Sequence, residues 1–177
     1  MRAPVQSTVP TFVPRAQLKS KANKNSHSAF SDMQNIDHRQ VTEKFIYGER
    51  LMSNKDLKKY VREMKMMGIP VTIDKYGKLI PENKLGGFAF EIGKIFLRKP
   101  VTKHTALHEM IHAKQWLKLG KEQYKELGIK AREEHVFREL IDGNLLNDAE
   151  LLIAKKYLYQ IRYGQRSPHG WKGEGFE

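Results

Sequence analysis

The stretch Thr105-Ala-Leu-His-Glu-Met-Ile-His112 decides how this chain is read. It contains His108-Glu-Met-Ile-His112, an H-E-x-x-H sequence. On an α-helix, residues four apart stand one turn above each other. His108 and His112 can therefore aim two imidazole nitrogens at one Zn²⁺. Glu109 is rotated about 100° from His108, too far round to join that line as a ligand. It can reach a water on the metal and act as its general base, the pairing that metal-assisted hydrolysis needs.

The surroundings predict that helix. Pro100-Val-Thr102 is a start, with Thr102 as N-cap, and Gly120 is a stop. Leu107, Met110, Ile111, Ala113 and Leu117 supply an apolar back away from the histidines. His104, one turn before His108, is expected beside the site but not in it.

A catalytic zinc site takes three protein ligands and leaves a fourth position open. The third histidine of an H-E-x-x-H-x-x-G-x-x-H pattern is absent, because His112 is followed by Ala-Lys-Gln-Trp-Leu-Lys. A carboxylate from a second helix is the alternative. Ala131-Arg-Glu-Glu-His-Val-Phe-Arg-Glu-Leu-Ile141 carries a helical stripe of Val136, Phe137, Leu140 and Ile141. Glu133 falls near the middle of that stripe and Glu134 at its edge. A carboxylate on a buried face needs a partner, and a metal ion would be one. Glu133 is the expected third ligand, Glu134 the reserve, and His135 a distant third.

The runs Gly86-Gly-Phe88, Ile95-Phe-Leu-Arg98, Leu107-His-Glu-Met-Ile-His-Ala-Lys-Gln-Trp-Leu-Lys-Leu-Gly-Lys-Glu-Gln-Tyr124 and Arg132-Glu-Glu-His-Val-Phe137 resemble the zincin-like metallopeptidase toxin domains, C-terminal effector modules of bacterial polymorphic toxins. The resemblance covers roughly residues 85–163. It implies zinc bound by His108, His112 and a glutamate of the Arg-Glu pair, with Glu109 as base. It also implies a protein or peptide substrate, and a secreted effector delivered into target cells if the chain belongs to a larger toxin. Without that context a cytoplasmic location is expected. His135 departs from the larger aromatic expected at its position.

Composition sets outer limits. With 177 residues the chain suits one folded domain. It has no cysteine, so any metal must be held by histidine and carboxylate. No apolar run is long enough for a membrane span, and the start lacks the apolar region of a signal peptide. The formal net charge of +12 invites a nucleic acid, an anionic surface or an acidic protein partner. No base-reading helix or RNA-binding aromatic motif accompanies it, so a nucleic acid is disfavoured. For a toxin, an acidic immunity protein is the expected partner. Two other readings stay open: a regulatory or housekeeping zinc peptidase outside any toxin, and a basic binding module without catalysis.

Along the chain, residues 1–40 read as a flexible basic linker, with Pro4, Pro10 and Pro14 and few large apolar residues. His27 and His38 there are expected in solvent. Residues 41–177 read as the zincin-like domain. Residues 41–52 form a short helix or strand, and Ser53 opens a helix running to Gly68 with its methionines as core filler. Val71–Asp74 is a strand with Lys78–Ile80 as a possible partner. Gly86–Ile92 and Ile95–Arg98 form a hairpin turning at Gly93-Lys94. Gly86-Gly87 lacks the lysine of a phosphate loop. After the metal helix come a polar helical piece at Lys121–Leu127, the Glu133 helix, and a last helix capped by Asn147 or Asp148. Tyr157, Tyr159, Tyr163 and His169 are possible donors to an oxyanion. The tail 165–177 is expected to be loose. The expected fold is α+β: a small antiparallel sheet packed on the H-E-x-x-H helix with two or three further helices.

Overall fold

The computed structural model of the chain describes residues 45–46 and 48–176. The expected linker 1–40, with His27 and His38, lies outside them. Strands β1 (Phe45–Ile46) and β2 (Glu49–Arg50) form a minimal antiparallel ribbon. Helix α1 (Asn54–Met66) follows, its N-cap Ser53 accepting the Asp56 N–H. Strands β3 (Val71–Asp74), β4 (Gly86–Ala89) and β5 (Lys94–Arg98) make a three-stranded sheet. Helices α2 (Lys103–Leu119), α3 (Lys121–Glu126), α4 (Gly128–Asp142) and α5 (Asp148–Tyr163) complete an α+β architecture.

The sheet differs from the antiparallel one expected. Its order is β3-β5-β4, and β3 pairs with β5 in parallel. Lys78–Ile80 forms no strand because the Asp74 carboxylate takes its backbone. Asp74 accepts N–H bonds from Lys78 at 3.0 Å, Leu79 at 2.9 Å and Ile80 at 3.1 Å. Burial raises the pKa of that carboxyl, but the converging N–H groups hold it below its ordinary value. A segment folded round a carboxylate offers no ladder edge, and among the described strands β3 pairs with β5. Arg98 braces the same loop by donating to the Ile80 and Pro81 carbonyls.

The β4–β5 hairpin forms, but its loop is longer than the two residues expected. Ala89 pairs with Lys94, so Phe90–Gly93 is a four-residue connection, and Ile92 is 66% exposed. Gly93 turns there with φ 61°, and a Cβ on it would lie 2.9 Å from the Trp116 ring.

Ile95 and Leu97 of β5 are fully buried with Tyr60 and Met64 of α1 and Ala106 and Ala113 of α2. Met67 packs partly against this cluster while Met66 is exposed, so only part of the methionine group fills the core. A second cluster joins α4 and α5 through Phe137, Ala154 and Leu158. Ile111, Val136 and Leu140 link α2 to α4. Phe176 is buried in the second cluster beside Trp171. The tail is therefore fastened near its end, against the expectation of looseness, because two large aromatic residues find an apolar surface to cover.

The β1–β2 ribbon ties the two ends of the fold. Arg50 grips the fully buried Glu150 carboxylate with Nε and Nη2 and donates to the Leu145 carbonyl. Glu150 also closes a capping box with Asn147 at the start of α5. Glu49 reaches the start of α2 through Thr102 and His104.

Candidate metal centre

Helix α2 begins where expected: Thr102 caps it by accepting the Thr105 N–H at 3.1 Å, and Gly120 ends it. It is not the one-sided amphipathic helix expected. His104, Ala106, Glu109, Ile111, His112, Ala113 and Gln115 are all buried, while Leu117 is 45% exposed. The helix lies between the sheet and α4, so it is covered on several sides. A helix held this way keeps its side chains where the fold puts them.

His108 and His112 project from one face toward α4. Their Nε2 atoms stand 3.1 Å apart. Glu133 enters from the buried stripe of α4, with Oε2 at 3.2 Å from His108 Nε2 and Oε1 at 3.3 Å from His112 Nε2. Among the described residues this is the cluster of histidine and carboxylate groups that could hold a metal ion. Glu134 points elsewhere, in a bidentate pair with Arg162 at 2.5 and 2.6 Å. His135 lines a shallow surface groove with Lys130 and Arg138. The structure thus brings together the first-choice glutamate and keeps both reserves away.

The electrostatics suit a cation. Burial would lower the His108 pKa, but the Glu133 carboxylate beside it carries it up to about 9. Burial likewise works against the Glu133 charge, yet His108 and His112 hold its carboxyl well below the ordinary range. Glu133 Oε2 is buried and has no hydrogen bond, although His108 Nε2 is near. Two imidazole nitrogens and a carboxylate converging within hydrogen-bond distance of one another fit a bound metal ion.

Glu109 is buried beside the cluster, 7% exposed. Burial raises its pKa, opposed by His108 and His112, and it accepts the Phe88 backbone N–H. The approach of β4 to α2 is close: a Cβ on Gly86 would lie 2.7 Å from Thr105 Cγ2 and 3.3 Å from Glu109 Cγ. The Arg98 N–H bonds the Leu85 carbonyl. In an antiparallel pair the bonding residues alternate, so Gly86 and Phe88 turn their backbone groups away from β5, along the edge of β4 that no described strand covers.

Of the four expected oxyanion donors, Tyr157 reaches the cluster. Its ring meets that of His108 edge-on at 5.8 Å, and its hydroxyl hydrogen-bonds Glu133. Tyr159 and Tyr163 meet in a tilted ring contact, Tyr159 likewise with Trp171, and His169 is exposed. His104 is buried one turn from His108, with Nδ1 3.2 Å from Glu49 Oε1. Three contributors escaped the sequence reading: Glu49, the Phe88 backbone and Tyr124, whose hydroxyl is 3.0 Å from His112 Nδ1. For Tyr124 there was a signal, since it is the one large apolar side chain in a polar six-residue helix.

A family model described as metallopeptidase toxin 4 matches residues 34–164, well over half of the chain. The chain belongs to this family of metallopeptidase toxins. The match begins before α1 and runs through α5, wider than the stretch from residue 85 that carried the resemblance. A metallopeptidase toxin domain is a hydrolase of peptide bonds that works with a metal ion and takes protein as its substrate. The enzyme reading therefore prevails over the basic binding module, and the toxin reading over the housekeeping peptidase. Among the described residues no helix is long and apolar enough to cross a membrane. No curated protein and no solved structure matches the chain.

Proposed function

We propose that the metal of this toxin is zinc, held by His108 Nε2, His112 Nε2 and the Glu133 carboxylate in a zincin-like arrangement, and that Glu109 is the general base. The donor triangle carries this reading. Its edges are 3.1, 3.2 and 3.3 Å. Donors about 2.0–2.1 Å from one tetrahedral ion stand about 3.3–3.4 Å apart. Two imidazoles favour zinc over calcium or magnesium, which prefer oxygen. Bound zinc supplies a Lewis acid for a scissile carbonyl and for an attacking water.

Glu109 takes a proton from that water and returns it to the leaving amine. Its burial, which raises its proton affinity, brings it nearer the working pH of a base. The Phe88 N–H holds one side of the carboxylate in place. Tyr157, through its hydroxyl, holds Glu133. An extended substrate pairs with the edge of β4 that no described strand covers, through the Gly86 backbone groups and the Phe88 carbonyl, where strand addition needs only backbone groups. The net charge of +12 supports an acidic immunity protein as partner, recruited by opposite charge. Delivery as an effector of a larger toxin belongs to the same reading and is supported by the family.

The test is elemental analysis of purified protein together with cleavage of a peptide library. One zinc per chain, lost in His112→Ala, with cleavage lost in Glu109→Gln, is the expected result. Cleavage that persists in Glu109→Gln would remove the base from the scheme. Arrest of susceptible cells by the parent and not by Glu109→Gln would tie the chemistry to toxicity.

A further inference from the structure

The two nitrogens of His112 face different worlds. Nε2 faces the other two donors, 3.1 Å from His108 Nε2 and 3.3 Å from Glu133 Oε1. With a metal on Nε2, the ring proton must sit on Nδ1. A buried N–H needs an acceptor. The group on Nδ1 is the Tyr124 hydroxyl at 3.0 Å, from a side chain only 2% exposed.

Tyr124 is itself held on several sides. Phe88 meets its ring edge-on at 6.0 Å, and Phe90 lies tilted at 5.8 Å. The Arg132 guanidinium lies over the Tyr124 ring at 4.9 Å and over Phe90 at 5.1 Å, and it also interacts with the hydroxyl. Arg132 is steadied in turn by donating Nε–H to the Gly128 carbonyl at 3.0 Å. Helix α3 has six residues and no side-chain N-cap bond. Such a helix would not place a hydroxyl reliably by itself; the clamp of Phe88, Phe90 and Arg132 does.

We propose that Tyr124 and Arg132 form a positioning relay for the metal: Arg132 fixes Tyr124, and Tyr124 accepts the Nδ1 proton of His112 and sets the plane of its ring. This rests on the metal reading above. Arg132 directly precedes Glu133, so one turn of α4 supplies a ligand and orients a second ligand on α2. The Arg-Glu pair of the sequence then has a reason for both of its members. A tyrosine, unlike an aspartate, performs this without adding a negative charge beside Glu109 and Glu133.

The experiment compares the parent, Tyr124→Phe and Arg132→Lys by zinc dissociation constant against a chromophoric chelator, by the visible spectrum of the Co²⁺-loaded protein, and by the Tm of the metal-free protein. Tyr124→Phe keeps the ring and removes the acceptor. It is expected to weaken zinc binding about 10–100-fold and shift the Co²⁺ bands, while the metal-free Tm stays near the parent's. Arg132→Lys keeps the charge and loses the flat face, and is expected to weaken zinc in the same direction by a smaller factor. A dissociation constant for Tyr124→Phe within about threefold of the parent's, with an unchanged Co²⁺ spectrum, overturns the relay, since loss of a working outer partner costs at least tenfold. A lower metal-free Tm with unchanged zinc affinity also overturns it and leaves Tyr124 as core. A parent that binds no zinc overturns the metal reading itself, a result distinct from either.

Discussion

Glu109 and Glu133 are both buried carboxylates beside the same two histidines, yet their environments push them apart. Glu109 has its pKa raised by burial, and Glu133 is held ionised by His108 and His112. That separation is what a base and a ligand require. Glu109→Gln is nearly isosteric and can still accept the Phe88 N–H. It is expected to retain zinc and lose about 10²–10⁴ in kcat, checked by elemental analysis beside peptide cleavage. Glu133→Gln and Glu134→Gln separate the two acidic neighbours. The first is expected to lose zinc, while the second breaks only the part-exposed Arg162 pair and costs about 0–1 kcal/mol of stability. Zinc retained in Glu133→Gln and lost in Glu134→Gln would reverse the assignment. His108, Glu109 and His112 were legible from their spacing alone, since a helix carries them wherever it goes. Glu133 was legible as the centre of an apolar stripe, but that Glu134 would turn to Arg162 depended on α5, which the local sequence does not contain.

At the scale of elements, β4 and α2 must touch for the Phe88 N–H to reach Glu109. Gly86 is the residue that permits it. Gly86→Ala would drive a methyl into Thr105 and Leu97 and push the strand off the helix. It is expected to cost about 1–3 kcal/mol in a denaturant titration and to lower kcat by more than that loss of folded protein explains. Unaltered kcat would mean that β4 has no part in catalysis. The second joint is Arg50–Glu150. Burial pushes the Glu150 carboxyl up, but Arg50 and the backbone N–H groups of Asn147 and Arg50 hold it below its ordinary value. A depressed carboxylate stabilises the fold fully above the unfolded value of about 4.3 and ceases to as pH falls through the lower folded value. Glu150→Gln is therefore expected to cost about 3 kcal/mol at neutral pH, with the gap to the parent narrowing below about pH 4 when Tm is followed through an acid series. A gap independent of pH would show that the charge contributes nothing. The helices were legible because their caps and periodicity are local. The parallel pairing of β3 with β5 was not, because it joins residues 71–74 to residues 95–98 across a long connection that no local periodicity encodes.

For the whole molecule, the cluster of His108, His112 and Glu133 joins α2 to α4, and the apolar clusters behind it join those helices to the sheet and α5. A ligand that binds the folded form alone stabilises it by mass action, about 4 kcal/mol at a thousandfold excess over Kd. Stripping zinc with a chelator is thus expected to lower the Tm by several degrees, and an unchanged Tm would deny the ion a place in the fold. Phe176 anchors the far end, and Phe176→Ala is expected to cost about 3–4 kcal/mol by denaturant unfolding. A loss under about 0.5 kcal/mol, typical of surface changes, would return the tail to the loose state that its glycines suggest.

The sequence by itself determined the helices, the pair of histidines with Glu109 between them, and the class of chemistry, because each depends on spacing within a single turn or a single stripe. Only the tertiary structure decided which glutamate faces the histidines, that Tyr124 stands behind His112, that β4 lies against Glu109, and that the tail closes on Phe137. Those relations join residues distant in the chain, and they are set by which surfaces exclude water together. No local periodicity encodes them.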